Sequence, residues 1–413
     1  MATLGAIADD LTGATDVAIA LTSAGYRTTV VLGADAPHDG DAVDGADAVV
    51  VALKSRTMPV DEAVTASLRA LERLRGAGCE RFYVKYCSTF DSTPAGNIGP
   101  VSEAVLEALG ESVTVIAPAF PANGRTVYRG HLFVGDDPLD ESPMRHHPLT
   151  PMTDSNLLRL LAPQVSGGET DVALVPWPTV ARGAEAVRDA IGRAGDAGAR
   201  FVVVDALTDA DLATLARATE GLRLLTGGSA LAQGLTGPRT SGRTPLTLPE
   251  GPRVVLSGSA SRATQGQVRH ALAVGGGRQL RPAELREDFE ATVSGAVALA
   301  LDSGDGTPFV VYATASPEDV VDTADAPLIE EALAEVAERL VAAGTRSLLV
   351  AGGETSGAVV QRLGVASLAL GPEIDPGVAW MLGQRDGRDI HLMLKSGNFG
   401  REDLFVRAWE GSR

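Results

Sequence analysis

The chain has 413 residues, of which 45% are hydrophobic and 21% are charged, and its formal net charge is −18. This balance is typical of a folded globular protein and excludes a largely disordered one, and the length favours two domains over one. The negative charge argues against nucleic acid and anionic membranes as partners, because both would repel it.

Targeting signals and cysteine content predict a cytoplasmic protein. The first ten residues contain no basic segment typical of a secretory signal, and no apolar run approaches the roughly 18–20 residues that span a bilayer. Cys79 and Cys87 are the only cysteines, so neither a disulfide framework nor a cysteine zinc site is expected. Small molecules, rather than nucleic acid or membranes, are the expected partners.

The first half of the chain alternates short apolar, β-branched runs with helix-length segments. This alternation predicts a doubly wound, mostly parallel sheet with helices on both faces, in an α/β fold. The predicted strands are 4–8, 28–32, 48–53, 82–85, 113–117, 172–175 and 201–205. The predicted helices include 13–24, 59–75, 99–109 and 180–193.

Gly, Pro, Ser and Thr become frequent between residues 226 and 252, as expected of a linker between domains. We therefore predict two domains, at 1–240 and 241–413. The second half repeats the α/β pattern. Its predicted strands are 253–256, 309–312, 347–350 and 390–394, and its predicted helices are 263–274, 291–301 and 327–343.

Polar loops follow three predicted strands of the first half, at the edge of the sheet where ligands of open α/β folds bind. Asp9 and Asp10 follow the first strand. Either one acid only caps the next helix, or the pair also acts on a ligand. Arg56 follows the third strand and suits a carboxylate through its fork of donors, although it could equally be a solvated edge residue.

The densest polar segment is 85–100, which predicts a substrate site. It carries a cation, hydroxyls, an acid and an amide, on Lys85, Ser88, Thr89, Asp91 and Asn97. Cys87 has no histidine beside it in sequence, so a packed thiol is expected rather than a nucleophile. The Asn-Gly pair that begins at Asn123 predicts a β hairpin, from which Asn123 and Arg125 are expected to reach the pocket.

Small-residue loops follow three predicted strands of the second half, an arrangement that exposes backbone N–H groups to phosphate. The residues concerned are Ser257, Ser259, Gly352, Gly353, Glu354, Thr355, Ser356, Gly357, Lys395, Gly397 and Asn398. Each loop alone could be a structural turn, but together they predict a nucleotide site. The chain has neither the GxxxxGK[ST] motif nor a complete GxGxxG fingerprint with an acid at the dinucleotide spacing.

Four motifs together resemble the four-carbon acid sugar kinase family, in the same order and over nearly the whole chain. They read IADDLTGA from Ile7, KYCSTFDSTPAGNIG from Lys85, GGETSG from Gly352 and KSGNFG from Lys395. The resemblance implies an N-terminal acid-sugar domain, a C-terminal nucleotide domain and ATP-dependent phosphorylation of a terminal hydroxyl.

The Lys85 motif also indicates a branch of that family. Threonate and erythronate kinases usually have a shorter Lys-x-Asp-Ser-Thr-x-Arg-Gly-Asn pattern, whereas this chain has Ala95 where the Arg would lie. With the segment 145–156, this looks like the 3-oxo-tetronate branch, which phosphorylates the 4-hydroxyl. D-threonate and D-erythronate 4-kinases are alternatives, as are an NAD-dependent acid-sugar oxidoreductase and a non-catalytic acid-sugar sensor.

The predicted roles follow from these motifs. Arg56 and Lys85 are expected to hold the substrate carboxylate, while Asp9, Asp10 and Asp91 hold hydroxyls, with Asp10 the first choice for the base. ATP is expected across the three loops of the second half, with Mg²⁺ neutralising its phosphates. No protein ligands are assigned to the metal. A homodimer is one assembly compatible with such a chain.

Overall fold

The computed structural model describes residues 2–36, 45–147, 150–239, 246–304, 306–320 and 323–410. The chain divides into two compact units, Met1–Gly242 and Arg243–Arg413. Each has its own strands, its own helices and its own cluster of buried apolar side chains. The prediction of two α/β domains is thereby confirmed.

The first unit contains eight strands of a parallel sheet and a small antiparallel sheet. The strands are β1 Leu4–Ala8, β2 Thr28–Leu32, β3 Ala48–Ala52, β4 Arg81–Lys85, β5 Thr114–Ala117, β6 Arg125–Tyr128, β7 His131–Val134, β8 Asp137–Pro138, β9 Val172–Val175, β10 Phe201–Val204 and β11 Leu224–Gly227. The parallel strands run in the order β2-β3-β1-β4-β11-β5-β10-β9, and β6, β7 and β8 form the small sheet.

Helices cover the parallel sheet of this unit. They are α1 Leu11–Ser23, α2 Val60–Gly76, α3 Ile98–Leu109, α4 Leu157–Leu161, α5 Trp177–Val180, α6 Ala184–Asp196, α7 Asp209–Ala218 and α8 Ser229–Gln233. Every residue of β1 and β3 is buried, as expected of central strands with helices on both faces. Leu71 and Leu74 of α2 and Val105 of α3 belong to the apolar core.

The predicted linker begins with regular structure, so its predicted start at residue 226 is wrong. Thr226 and Gly227 end β11, and α8 follows directly. A Cβ on Gly227 would lie 2.4 Å from the carbonyl oxygen of Ala117, and one on Gly228 would lie 2.8 Å from that of Pro118. These glycines allow close backbone packing and do not mark a flexible joint. Residues 240–245 of the predicted linker lie outside the described residues.

A hairpin is present where the Asn-Gly pair predicts one, but its turn lies elsewhere. The chain turns between β6 and β7 at Arg129 and Gly130, whose φ angles are 53° and 74°. The carboxylate of Asp205 accepts hydrogen bonds from the N–H groups of Arg129 (2.7 Å), Gly130 (2.8 Å) and Trp177 (2.8 Å). Asn123 instead ends a short turn that leads into β6.

The second unit contains a mixed sheet. Its strands are β12 Val254–Ser257, β13 Gly277–Gln279, β14 Phe309–Tyr312, β15 Ser347–Ala351, β16 Ser367–Asp375, β17 Val378–Arg385 and β18 Arg388–Lys395. Its helices are α9 Arg262–Val274, α10 Pro282–Glu287, α11 Phe289–Asp302, α12 Ala326–Ala342, α13 Gly353–Leu363 and α14 Leu404–Arg407. The order is β13-β14-β12-β15-β18-β17-β16, parallel as far as β18 and antiparallel beyond it.

Strands β16 and β17 were not predicted. The turn between β17 and β18 is Asp386-Gly387, and both residues have positive φ angles. An Asp-Gly pair between two apolar runs is a strong hairpin signal, so the sequence contained the information needed to find this pair of strands. No helix in the described part of the chain is both long and apolar enough to cross a membrane.

Candidate functional site

The sugar-binding candidates of the first unit meet at the carboxyl ends of three neighbouring strands. In the sheet, β1 lies between β3 and β4, and Ala8 pairs with both Ala52 and Lys85. The loops that follow these strands carry Asp9, Arg56 and Asp91. Parallel topology thus brings together side chains that are far apart in sequence.

Arg56 is the centre of this cluster. Its Nε and Nη2 atoms donate to the two oxygens of Asp9 at 2.8 and 2.9 Å, and Nη2 lies 2.9 Å from Oδ2 of Asp10. Nη1 lies 3.9 Å from Oδ2 of Asp91, beyond hydrogen-bond distance. Burial alone would lower the pKa of Arg56, but the carboxylates of Asp9 and Asp10 outweigh it and raise that pKa well above its usual range.

Asp10 serves two partners at once. It is the N-cap of α1, where Oδ1 accepts from the N–H of Gly13, while Oδ2 pairs with Arg56. Desolvation by burial raises the pKa of Asp10, and the nearby charge of Asp9 acts in the same direction, whereas Arg56 opposes both. The capping role and a chemical role are therefore compatible in one side chain.

Lys85 lies beneath the start of α1. It is buried, and its ammonium donates to the carbonyl of Tyr86 at 2.9 Å. A Cβ on Gly13 would lie 3.1 Å from Nζ of Lys85 and 2.5 Å from Oδ1 of Asp10. Gly13, which the sequence analysis did not select, is therefore needed for α1 to approach the lysine.

Asn97 holds the turn that carries Arg56. Its Nδ2 atom donates to the carbonyls of Ser55 (2.7 Å), Met58 (2.9 Å) and, more weakly, Arg56 (3.3 Å). The three carbonyls fix the amide orientation, because the reversed amide would place oxygen against oxygen. Oδ1 is buried and has no hydrogen-bond partner among the described residues.

Most of these side chains border one pocket; Asp10 is not among its lining residues but contacts Arg56, which is. Its polar side is formed by Asp9, Ser55, Arg56, Lys85, Asp91 and Asn97, and its apolar side by Ile7, Val84, Ile98 and Val101. A small ligand with a charged end and hydroxyl groups matches the polar side. A largely apolar ligand would leave these charges unpaired at high cost.

The remaining candidates of the first unit lie near this pocket in sequence but are not among the residues that line it. Thr89 donates to Asp91 at 2.6 Å, while Ser88 packs against the backbone at Gly228. The guanidinium of Arg125 donates to the backbone carbonyl of Asn123 in the segment that enters the hairpin. The roles predicted for Ser88, Asn123 and Arg125 therefore remain predictions.

Cys87 is a packed thiol, and Asp16 is an acid to which the sequence analysis assigned no specific role. Burial raises the pKa of Cys87 to about 12, which keeps the thiol neutral. Asp16 accepts a hydrogen bond from Ser229; burial raises its pKa, and the charge of Lys85 opposes that effect. The sequence signal for Asp16 was its place two residues after the IADDLTGA segment, one turn of α1 beyond Gly13.

The nucleotide candidates of the second unit meet in the same way. Strands β12, β15 and β18 are neighbours, and their carboxyl ends lead into the loops that begin at Ser257, Gly352 and Lys395. Gly352 has a φ of 124° and caps α13 without any side-chain hydrogen bond. The first N–H groups of α13 therefore have no capping side chain, and Gly353 and Glu354 are exposed.

Glycines let the three loops pack against one another. A Cβ on Gly258 would lie 2.2 Å from Oγ1 of Thr355, and one on Gly397 would lie 2.6 Å from Oγ of Ser259. Asn398 is exposed beside Gly397. Gly357 and Ser356 are buried in α13, and the hydroxyls of Ser257 and Ser356 have no partner among the described residues.

Sequence reasoning gave no role to two hydroxyls of this cluster, those of Thr264 and Thr314, whereas Ser261 ends the loop 257–261 over which ATP is predicted to lie. Ser261 and Thr264, at the start of α9, both donate to the carbonyl of Gly397. Thr314 follows β14 and donates to the carbonyl of Ser259 at 2.9 Å. The loop after β14 contains no glycine, so it lacked the signal by which the loops after β12, β15 and β18 were selected.

Lys395 does not point outward from its loop. It is 1% exposed, and its ammonium donates to Thr264 and Gln267 of α9 and to the carbonyl of Gly397. Elsewhere, no group of three or more His, Cys, Asp or Glu side chains is placed to hold a metal ion within the described ranges.

Comparisons with known proteins agree with these two clusters. The model of a sugar-binding N-terminal domain matches residues 4–235, and that of a nucleotide-binding C-terminal domain matches residues 254–405. A 3-oxo-tetronate kinase of Cupriavidus necator is 49% identical over 98% of this chain and 96% of its own length. One of Burkholderia multivorans is 48% identical with the same coverage.

Solved structures give the same result for the fold. A Salmonella typhimurium protein, described by its name as a tRNA synthase, has a TM-score of 0.90 at 40% identity and covers 99% of both chains. A Haemophilus influenzae protein has a TM-score of 0.81 at 40% identity, over 98% of this chain and 99% of its own. With both domain models and full-length relatives in agreement, the chain belongs to the four-carbon acid sugar kinase family, in its 3-oxo-tetronate kinase branch.

Proposed function

We propose that this chain transfers phosphate from ATP to the 4-hydroxyl of a 3-oxo-tetronate, giving a 3-oxo-tetronate 4-phosphate and ADP. The observation that carries the proposal is the full-length similarity to relatives named 3-oxo-tetronate kinase, of which two are 49% and 48% identical. The two side-chain clusters support the same reaction. The cluster around Arg56 suits a small anionic polyol, and the small-residue loops of the second unit suit phosphates.

The acceptor would bind in the pocket of the first unit. Nη1 of Arg56 has no hydrogen-bond acceptor among the described residues, so it can donate to the substrate carboxylate beside the ammonium of Lys85. Both oxygens of Asp9 accept from Arg56, which makes Asp9 a support for the guanidinium. Asp91 and Oδ1 of Asn97 would accept hydrogen bonds from the substrate hydroxyls.

Asp10 would act as the general base. The 4-hydroxyl oxygen attacks the γ-phosphorus of ATP, its proton passes to Asp10, and the bond between the γ-phosphorus and the bridging oxygen breaks to release ADP. Desolvation raises the pKa of Asp10 and so makes the ionised carboxylate a stronger base than an ordinary aspartate.

The donor would bind in the second unit. The exposed N–H groups of Gly353 and Glu354 at the start of α13, with the hydroxyl of Ser259 and the amide of Asn398, supply donors for the phosphates of ATP. Mg²⁺ would be held mainly by phosphate oxygens, since no cage of acids or histidines is present within the described ranges.

The tRNA synthase name of the Salmonella protein suggests a different function, and the charge of this chain argues against it. A net charge of −18 disfavours binding of a polyanion, whereas a small acid sugar needs only local cations such as Arg56 and Lys85.

The direct test measures ADP release with Mg-ATP across freshly generated 3-oxo-tetronates, D-threonate and D-erythronate. Turnover only with the oxo acids supports the proposal. A preference for D-threonate or D-erythronate would keep the kinase activity but change the assigned substrate. Thermal stabilisation of the chain by NAD but not by ATP would favour the oxidoreductase instead.

A further inference from the structure

Lys395 is a buried cation with only neutral hydrogen-bond partners. Its Nζ donates to Oγ1 of Thr264 at 2.7 Å, to Oε1 of Gln267 at 2.7 Å and to the carbonyl of Gly397 at 3.1 Å. The ammonium thus has an acceptor for each of its three protons. None of these acceptors is negatively charged, although an ammonium removed from water normally needs a counter-ion.

No carboxylate among the described residues pairs with Lys395. Towards it, α9 presents Thr264 and Gln267, α14 presents the ring of Phe405 at 5.8 Å, and β15 presents the backbone of Ala351. The titratable and charged side chains on the surrounding elements are Arg262, Arg269, His270, Glu354, Arg362, Asp375, Arg401, Glu402, Asp403 and Arg407, and β18 itself carries Arg388, Asp389 and His391 towards its other end.

The acids of that set have other positions or partners. Asp375 pairs with Arg401 and Arg407, and Asp403 lies 3.5 Å from Arg407. Glu402 lies beside Gly266, on α9, and Glu354 is exposed. Burial without a counter-ion therefore lowers the pKa of Lys395 to about 7.

The buried ammonium lies directly behind the loop proposed to bind phosphate. The carbonyl of Gly397 accepts from Lys395, Ser261 and Thr264, and the α-carbon of Gly397 packs against Ser259. An anion on the outer side of this loop would interact with the ammonium through the poorly polarisable protein interior, where charges act more strongly than in water.

We propose that Lys395 is the counter-charge of the bound nucleotide phosphates, acting through the Gly397 loop as a positioning residue, and that nucleotide binding is accompanied by proton uptake on its amine. This proposal rests on the proposed function. Above about pH 7 part of the free protein holds the neutral amine, and the phosphates favour the ammonium. Nucleotide affinity should then fall by up to about tenfold per pH unit above that point.

The test is calorimetric titration of the full chain with Mg-ADP at about pH 8, in Tris and in HEPES. Phosphate has its last ionisation near pH 6, so at this pH the ligand contributes little proton exchange. The difference in binding heat between the two buffers gives the number of protons taken up. We expect close to one proton per nucleotide for the wild type.

Two variants make the assignment specific. Lys395→Met should abolish the uptake and weaken binding, whereas Lys395→Arg should bind without uptake and with an affinity that no longer falls as pH rises. Binding by the wild type without uptake, or unchanged uptake in Lys395→Met, would overturn the proposal while leaving the nucleotide site intact. If Lys395→Met does not fold, the wild type and Lys395→Arg still decide. Absence of any Mg-ADP binding by the wild type would overturn the proposed nucleotide site and this proposal with it.

Discussion

At the scale of single residues, Asp10 has a structural role as the N-cap of α1 and a proposed chemical role as the general base. One carboxylate oxygen caps α1 and the other pairs with Arg56. A substitution that keeps the cap but removes the charge can therefore distinguish the structural role of Asp10 from its chemical role. Asparagine is as good an N-cap as aspartate but carries no charge and cannot serve as a base. This makes Asn the informative substitution.

We therefore expect Asp10→Asn to lower kcat by about 10²- to 10⁴-fold with little change in thermal stability. Steady-state ADP release and a thermal melt measure the two quantities. Asp288→Asn is the matched control, because Asp288 caps α11 through the N–H of Ala291 at 2.9 Å in the second unit. Normal turnover of Asp10→Asn would remove Asp10 from the role of base.

The pH dependence of kcat should report the same group. Desolvation raises the pKa of Asp10, so the carboxylate takes up its proton at a higher pH than an ordinary aspartate. Activity should therefore fall, as pH decreases, through a value above the usual 3.8 for Asp. A profile that remains flat down to that value would contradict the assignment, and Asp10→Asn should lack this acid limb.

Substitution of Asn97 should weaken binding of the acid sugar and leave binding of the nucleotide unchanged. Asn97→Ala removes the donor that holds three carbonyls of the Arg56 turn. We expect KM for the acid sugar to rise at least tenfold, with KM for ATP unchanged, in initial-rate assays. Asn156→Ala is the control, since Asn156 caps α4 and its loss should cost about 1 kcal/mol of stability without changing either KM. An equal rise of both KM values would indicate general loosening instead.

At the scale of elements, the loops after β12 and β15 depend on Gly258. A methyl group there would lie 2.2 Å from Oγ1 of Thr355, so Gly258→Ala must move one loop away from the other. We expect the Kd for Mg-ATP, measured by calorimetry, to rise at least tenfold. Gly295→Ala is the control, because a Cβ at this position of α11 meets nothing within 4 Å. Wild-type affinity in Gly258→Ala would show that the close packing of these loops is not needed.

The elements also show what the sequence could predict. Parallel strands such as β1 and β14 have the predicted bounds, because buried β-branched runs carry a strong signal. Glycines were harder to interpret: Gly227 and Gly228 resemble a linker, but they exist for close packing against Ala117 and Pro118. The close-packing role of Gly13 was likewise not recognisable from the sequence.

The sequence predicted which loops form the candidate site, but it did not predict which atoms contact one another there. Strand ends located Asp9, Arg56 and Lys85, since parallel topology alone brings such loops together. The partner of each atom depends on packing. Asn97 therefore turned out to bind backbone carbonyls, and Lys395 to lie inward against α9.

At the scale of the whole molecule, the assembly remains a prediction. Light scattering during gel filtration should give about 85 kDa if the chain forms a homodimer, which is twice the 42.5 kDa of one chain. A mass near 42.5 kDa at assay concentration would instead identify a monomer.

The described members of each side-chain cluster belong to one unit, and this has an evolutionary consequence. The pocket side chains that contact one another lie between Asp9 and Asn97, whereas the phosphate-binding candidates all follow Val254. Mutations that adapt the enzyme to a new sugar acid can therefore accumulate in the early part of the gene while the ATP-binding part is inherited unchanged. Divergence of acceptor preference within the family is the expected outcome of such an arrangement.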